Sequence, residues 1–135
     1  MSIYSTEATV EEGDYVAFLQ SVGGLYLSHI HISEKGTNQN IRINENDISD
    51  FLRLCDILKE RKAFGLIKRT FVCNTSDGSY VYKLMATENK VVLYDDDGSI
   101  LYFDLDTFTN FINKIYDALW KYNSDRLKEI QSRGD

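Results

Sequence analysis

The stretch "IRINENDISDFLRLCDIL", residues 41–58, opens with alternating apolar residues, crosses a run of Asn, Glu and Asp, and then places apolar side chains at helical spacing. Sixty residues further on, "LYFDLDTFTNFINKIYDAL", residues 101–119, does the same. Superposing the two sets Ile43 on Phe103, Ile48 on Phe108, Phe51 on Phe111, Leu52 on Ile112 and Cys55 on Ile115. The match is one of apolar class and period rather than identity, and it makes the chain two copies of one unit. Within each copy a strand passes through an Asn/Asp-rich cap into a helix with apolar residues at i, i+3, i+4 and i+7, the mark of one buried face. The spacing predicts a first helix over about 47–61. The second should start near Asp106 and run past Trp120 to about 131, since no Gly or Pro interrupts it before Gly134.

Strands are expected ahead of both helices. "DYVAFLQSV", the pair Gly23-Gly24 and "LYLSHIHIS" read as a hairpin, because adjacent glycines supply the positive φ angles of a tight turn. The loop "EKGTNQN" then leads to "IRIN" as a third strand. In the second half "GLIKRTFVC", "YVYKLMA", "KVVLY" and "ILYFD" alternate with polar turns and make a four-strand meander. The expected class is α+β, two repeats of an antiparallel meander followed by a helix (β-β-β-α, then β-β-β-β-α), each sheet laying one face on a helix. All 135 residues form one domain, divided into an acidic N-terminal arm over 1–13, a first repeat over 14–62 and a second over 63–135.

Composition narrows the function. Apolar content of 43% and charged content of 27% are those of an ordinary soluble protein, and no apolar run is long enough for a membrane span. "MSIYSTEATVEEGDY" has neither the basic start nor the apolar stretch of a signal peptide, so a cytoplasmic location is expected. Cys55 and Cys73 fall in apolar patterns without a CxxC spacing, which reads as two buried free thiols in a reducing compartment. The net charge of -6 argues against a general polyanion binder. Half of that surplus sits in Glu7, Glu11 and Glu12, however, which leaves the rest of the chain nearly balanced. Zero prolines with many Asn, Ile, Lys and Tyr point to an AT-rich bacterial or phage source.

The stretches "LYLSHIHISEKGTNQNIRINENDISDFLRLCDIL" and "KVVLYDDDGSILYFDLDTFTNFINKIYDAL" each show a strand, a polar turn, a short strand and an acid-capped amphipathic helix. Together they cover about half of the chain. In this pattern the chain resembles the repeat of the PUR family of purine-rich-element binders, and the single-stranded-DNA-binding coactivators of the positive-cofactor-four type with their whirly relatives. The resemblance implies binding of single-stranded DNA or RNA on the sheet face opposite the helix, and dimerisation. Alternation puts Tyr80 and Tyr82 on one face of their strand with Lys83 on the other, while Tyr94 shares a face with Lys90 and Tyr102 lies two residues after Ile100. Exposed aromatics beside cations form a stacking platform for bases, so Tyr80, Tyr82, Tyr94 and Tyr102 with Arg69, Lys83 and Lys90 are the expected nucleic-acid-binding residues. Tyrosines are also good strand residues that half-bury their rings, and Asp95, Asp96 and Asp97 would repel phosphate from one edge of the platform.

Other chemistry finds less support. His29 and His31, the two histidines of the chain, lie two apart in a strand and point to one side, yet a zinc site needs a third and a fourth ligand. No metal and no cofactor are expected. "YDDDGS" lacks the ligand spacing of a helix-loop-helix calcium site and reads as a hairpin turn around Gly98. The chain has no GxSxG elbow, no P-loop and no GxGxxG between strand and helix, so a non-catalytic regulatory module is expected rather than an enzyme. The competing expectation is an acidic protein-interaction module, such as an adaptor, an inhibitor of a host or defence protein, or a secretion chaperone. Tyr116, Leu119, Trp120 and Tyr122 make the second helix apolar on more than one side, which predicts a homodimer with Trp120 as its anchor.

Overall fold

The computed structural model describes residues 4–23, 27–63, 71–74, 83–87, 89–95 and 98–133. The chain forms strands β1 (Tyr4–Glu12), β2 (Tyr15–Val22), β3 (Leu27–Glu34) and β4 (Asn40–Asn44), a short 3-10 turn (Glu45–Asp47) and helix α1 (Ile48–Ala63). Strands β5 (Phe71–Asn74), β6 (Lys83–Ala86), β7 (Lys90–Tyr94) and β8 (Ile100–Asp104) follow, and helix α2 (Leu105–Arg133) closes the order. The class is α+β. Both sheets are antiparallel meanders, ordered β1-β2-β3-β4 and β5-β6-β7-β8.

One strand corrects the sequence reading. The residues taken for an acidic arm are β1, paired along its length with β2 from Tyr4↔Val22 to Glu12↔Tyr15, so the first unit has four strands before its helix. Gly13, with φ of +59°, makes the turn that Gly23 and Gly24 make in the next hairpin of the sequence reading. The acids of β1 are held by cations elsewhere: Glu11 pairs with Lys35 (3.4 Å) and Glu12 with Lys114 of α2 (2.6 Å). Glu7 falls at a register shift between Thr6 and Ala8, where its carboxylate accepts from the buried hydroxyl of Ser21.

The two units repeat in register as well as in order. Ile30↔Ile43 and Ile32↔Ile41 join β3 to β4, and Val91↔Phe103 and Leu93↔Leu101 join β7 to β8. All eight side chains are buried in a single core. Between β7 and β8, Gly98 stands at φ +87° and the Asp95 carboxylate accepts from the Ser99 amide (2.8 Å), while Asp96 and Asp97 of the expected turn lie outside the described residues.

Each helix contributes the expected stripe: Phe51, Leu54, Cys55 and Leu58 from α1, and Phe108, Phe111, Ile112 and Ile115 from α2. Asp50 in the first turn of α1 and Arg61 and Lys62 in its last match the helix dipole. The helices run antiparallel, because Lys62 near the end of α1 reaches Asp106 near the start of α2 (2.6 Å) while Tyr116 reaches back to Leu52 and Asp56. Helix α2 also packs along β1, the far edge of the other unit's sheet. The two units therefore share one hydrophobic interior rather than holding two. Cys55 is buried in the core, while the side chain of Cys73 on β5 lies outside the described residues.

Candidate nucleic-acid interface

Packing the inner face of each sheet against the helices decides what the opposite face presents. In the first sheet Val10, Ala17, Leu19, Ile30, Ile32, Ile41 and Ile43 point inward, so alternation turns Thr9, Phe18, His31 and Arg42 outward. Cross-strand pairing lines these four up as a single row across four strands: Thr9↔Phe18, Phe18↔His31 and His31↔Arg42. The neighbouring row is Thr6↔Gln20, Gln20↔His29 and His29↔Asn44. Among the described residues, the outer positions of both sheets are exposed or half-buried except Val16 and His29.

His29 is only 5% exposed although it sits on the outer face. The edge of the Tyr4 ring stands against it (centroids 5.4 Å), and its Nδ1 is hydrogen bonded to the Ser28 hydroxyl at 2.9 Å. Burial, and then the positive charges of Arg42 and His31, hold its pKa below the ordinary value. The Arg42 guanidinium lies over the same Tyr4 ring, 5.9 Å from its centroid. A planar cation, an imidazole and one phenol ring, from β4, β3 and β1, thus occupy one patch. Among the described residues no group of three or more His, Cys, Asp or Glu is arranged to hold a metal ion.

The second sheet carries part of the expected platform. Tyr102 is 62% exposed and shares the outer face with half-buried Tyr94, through the pairs Val92↔Tyr102 and Tyr94↔Ile100. Lys90 lies on this face too, but its ammonium is engaged by its cross-strand partner Asp104 (2.6 Å). Met85, Val92 and Ile100 complete an outer face that is largely apolar. Lys83 occupies the register position opposite Tyr94, while Arg69, Tyr80 and Tyr82 lie outside the described residues. Where the sheets meet, the Tyr15 ring of β2 packs at a tilt against Phe103 (centroids 4.2 Å) and donates its hydroxyl to the carbonyl of Tyr102. Burial, and then Glu34, Asp104 and Asp14, raise the pKa of that phenol and keep it a donor.

The residues expected at a dimer interface separate. Leu119 belongs to the core (8% exposed) and Tyr116 binds α1, whereas Trp120 is 73% exposed. Trp120 stands at an open apolar groove of about 470 Å³ formed with Leu27, Ile48, Leu52 and Tyr116. Half-buried Tyr122 is not among the residues that line it. Among the described residues no helix is long and apolar enough to cross a membrane.

Sequence reasoning missed the outer face of the first sheet. The signal was present in "AFLQS" and "SHIHIS", two strands whose aromatic and imidazole residues alternate with core residues, but the register that aligns them with Arg42 is a property of the fold. No family model matches the chain, and no curated protein or solved structure matches it.

Proposed function

We propose that the protein is a non-catalytic module that binds single-stranded nucleic acid on the outer face of its sheets, in the manner the PUR-like resemblance implies. The observation that carries this reading is the division of labour in the sheets: among the described residues the inner faces supply the shared core, and the outer faces offer aromatic rings, among polar groups on the first sheet and among largely apolar ones on the second. Such a surface suits unpaired bases, whose flat faces stack on rings at ~1–3 kcal/mol per base without demanding a particular sequence. A duplex hides those faces. Of the acids that make the chain negative, Glu11 and Glu12 are ion-paired at β1. The test is a mobility-shift titration with labelled single-stranded and duplex oligonucleotides at low salt. A shift of the single strand at lower protein concentration than the duplex supports the reading, and no shift with either removes it.

A second reading rests on Trp120. A large exposed ring beside an apolar groove marks a protein contact. A knob and a hole on one patch are what a two-fold contact between identical chains requires, so a second copy of this chain is the occupant that fits. The module would then act as a cytoplasmic homodimer, with the sheet faces directed away from the helices. An acidic protein-interaction role without nucleic acid predicts instead that a basic partner protein, and no oligonucleotide, binds the chain.

A further inference from the structure

We propose that the row Phe18, His31 and Arg42 on the first sheet is the main contact for single-stranded nucleic acid, and that the tyrosine face of the second sheet is secondary. The inference rests on the nucleic-acid reading above and says which of the two outer faces serves it. Three observations select the first sheet.

The first is register. Phe18, His31 and Arg42 are direct cross-strand partners on β2, β3 and β4, so they lie side by side at strand spacing, about 10 Å from the backbone of β2 to that of β4. A base stacked on the Phe18 and His31 rings leaves its phosphate toward Arg42. The second is charge. Arg42 presents a guanidinium whose planar fork both stacks on rings and pairs with phosphate oxygens, and it already lies over the Tyr4 ring. The nearby acid on this face, Glu11, is two residues along β1 from the row and is paired with Lys35. On the second sheet Asp104, ion-paired with its cross-strand partner Lys90, brings a carboxylate to the outer face two residues from Tyr102. Phosphate approaching there meets an ion pair.

The third is composition. Around Phe18 and His31 the outer face holds Thr9, Gln20 and Ser33 beside buried Val16, a mostly polar surround suited to a polar ligand. Around Tyr102 it holds Val92, Met85 and Ile100, which favour an apolar partner. Tyr4 completes the first-sheet site as a ring 39% exposed at the end of β1.

The test compares variants by fluorescence anisotropy with labelled single-stranded DNA and, in a parallel arm, single-stranded RNA of the same sequence. Arg42→Gln removes the charge while keeping a polar side chain. Phe18→Leu keeps an apolar side chain but removes the stacking ring. Each is expected to weaken binding by about 5- to 100-fold, against less than about threefold for Tyr102→Ala, with thermal melts confirming that all three fold. A stronger loss on RNA than on DNA assigns the row to RNA, and equal losses assign it to the shared base and phosphate chemistry. If the wild-type chain binds and Tyr102→Ala costs as much as or more than the first-sheet changes, the inference is overturned while the nucleic-acid reading stands. If the wild-type chain binds neither oligonucleotide, both fall. Should Phe18→Leu melt early, Arg42→Gln, exposed and at a strand edge, decides alone.

Discussion

Phe51 of α1 and Phe111 of α2 stand sixty residues apart at matching positions of the sequence repeat, and both are fully buried in one shared core. Truncating either ring leaves a cavity in close-packed surroundings, so Phe51→Ala and Phe111→Ala should each cost about 3–5 kcal/mol. Because α2 packs along the sheet of the first unit, the loss should appear as an earlier single transition for the whole chain. Urea unfolding followed by circular dichroism and by Trp120 fluorescence reads both probes. Two separated transitions would show that the units fold independently.

The hydroxyl of Tyr116 donates toward the carbonyl of Leu52 and toward the carboxylate of Asp56, each at 2.8 Å, and so ties α2 to α1. Burial, with the Asp56 hydrogen bond and charge, raises its pKa and keeps it protonated. Tyr116→Phe keeps the ring but leaves those acceptors without their donor, and a loss of about 1–3 kcal/mol follows in chemical denaturation. An unchanged midpoint would mean that solvent replaces the phenol at no cost.

His29 gives a pH dependence whose sign is fixed. Its folded pKa is lowered by burial, then by Arg42 and His31, from an ordinary value of 6.5. Between the two values the unfolded chain binds a proton that the native chain refuses, so stability is full above pH 6.5 and declines as the pH falls below it. His29→Gln removes this contribution. Stability measured from neutral pH down toward pH 5 should fall less steeply in the variant than in the wild type, and equal slopes would sink the assignment.

Self-association through Trp120 has its own readout. Light scattering at micromolar concentration should give twice the monomer mass for the wild-type chain and the monomer mass for Trp120→Ser, with thermal stability of the monomer little changed because the indole is exposed. A wild-type monomer contradicts the dimer.

The helices and the strands β7 and β8 were legible because their periods are clean: "KVVLY" and "ILYFD" alternate without a break and the structure keeps their expected bounds. Strand β1 was not. In "YSTEATVEE" Val10 alone is fully buried, a register shift at Glu7 breaks the alternation, and three carboxylates read as a solvated arm until their partners in Lys35, Lys114 and Ser21 are in place. The site was half legible for a related reason. Alternation says that Tyr94 and Lys90 share a face, but not that Asp104 arrives opposite Lys90, nor that His31 lands between Phe18 and Arg42. Cross-strand register joins residues far apart in the chain, and the histidine pair read by itself suggested a metal question rather than a row shared with Phe18 and Arg42.

The most direct measurement of the central claim is the affinity of the wild-type chain for a labelled single-stranded oligonucleotide as a function of salt. At about 10 mM ionic strength, where the Debye length is ~30 Å, the account predicts saturable binding that is tighter for the single strand than for the duplex. With Arg42 as the main cation at the row, the slope of log affinity against log salt should be shallow, roughly -0.7 for each phosphate neutralised, since stacking supplies most of the free energy. Failure to bind single-stranded DNA or RNA at that ionic strength, or equal binding of duplex and single strand, would contradict it.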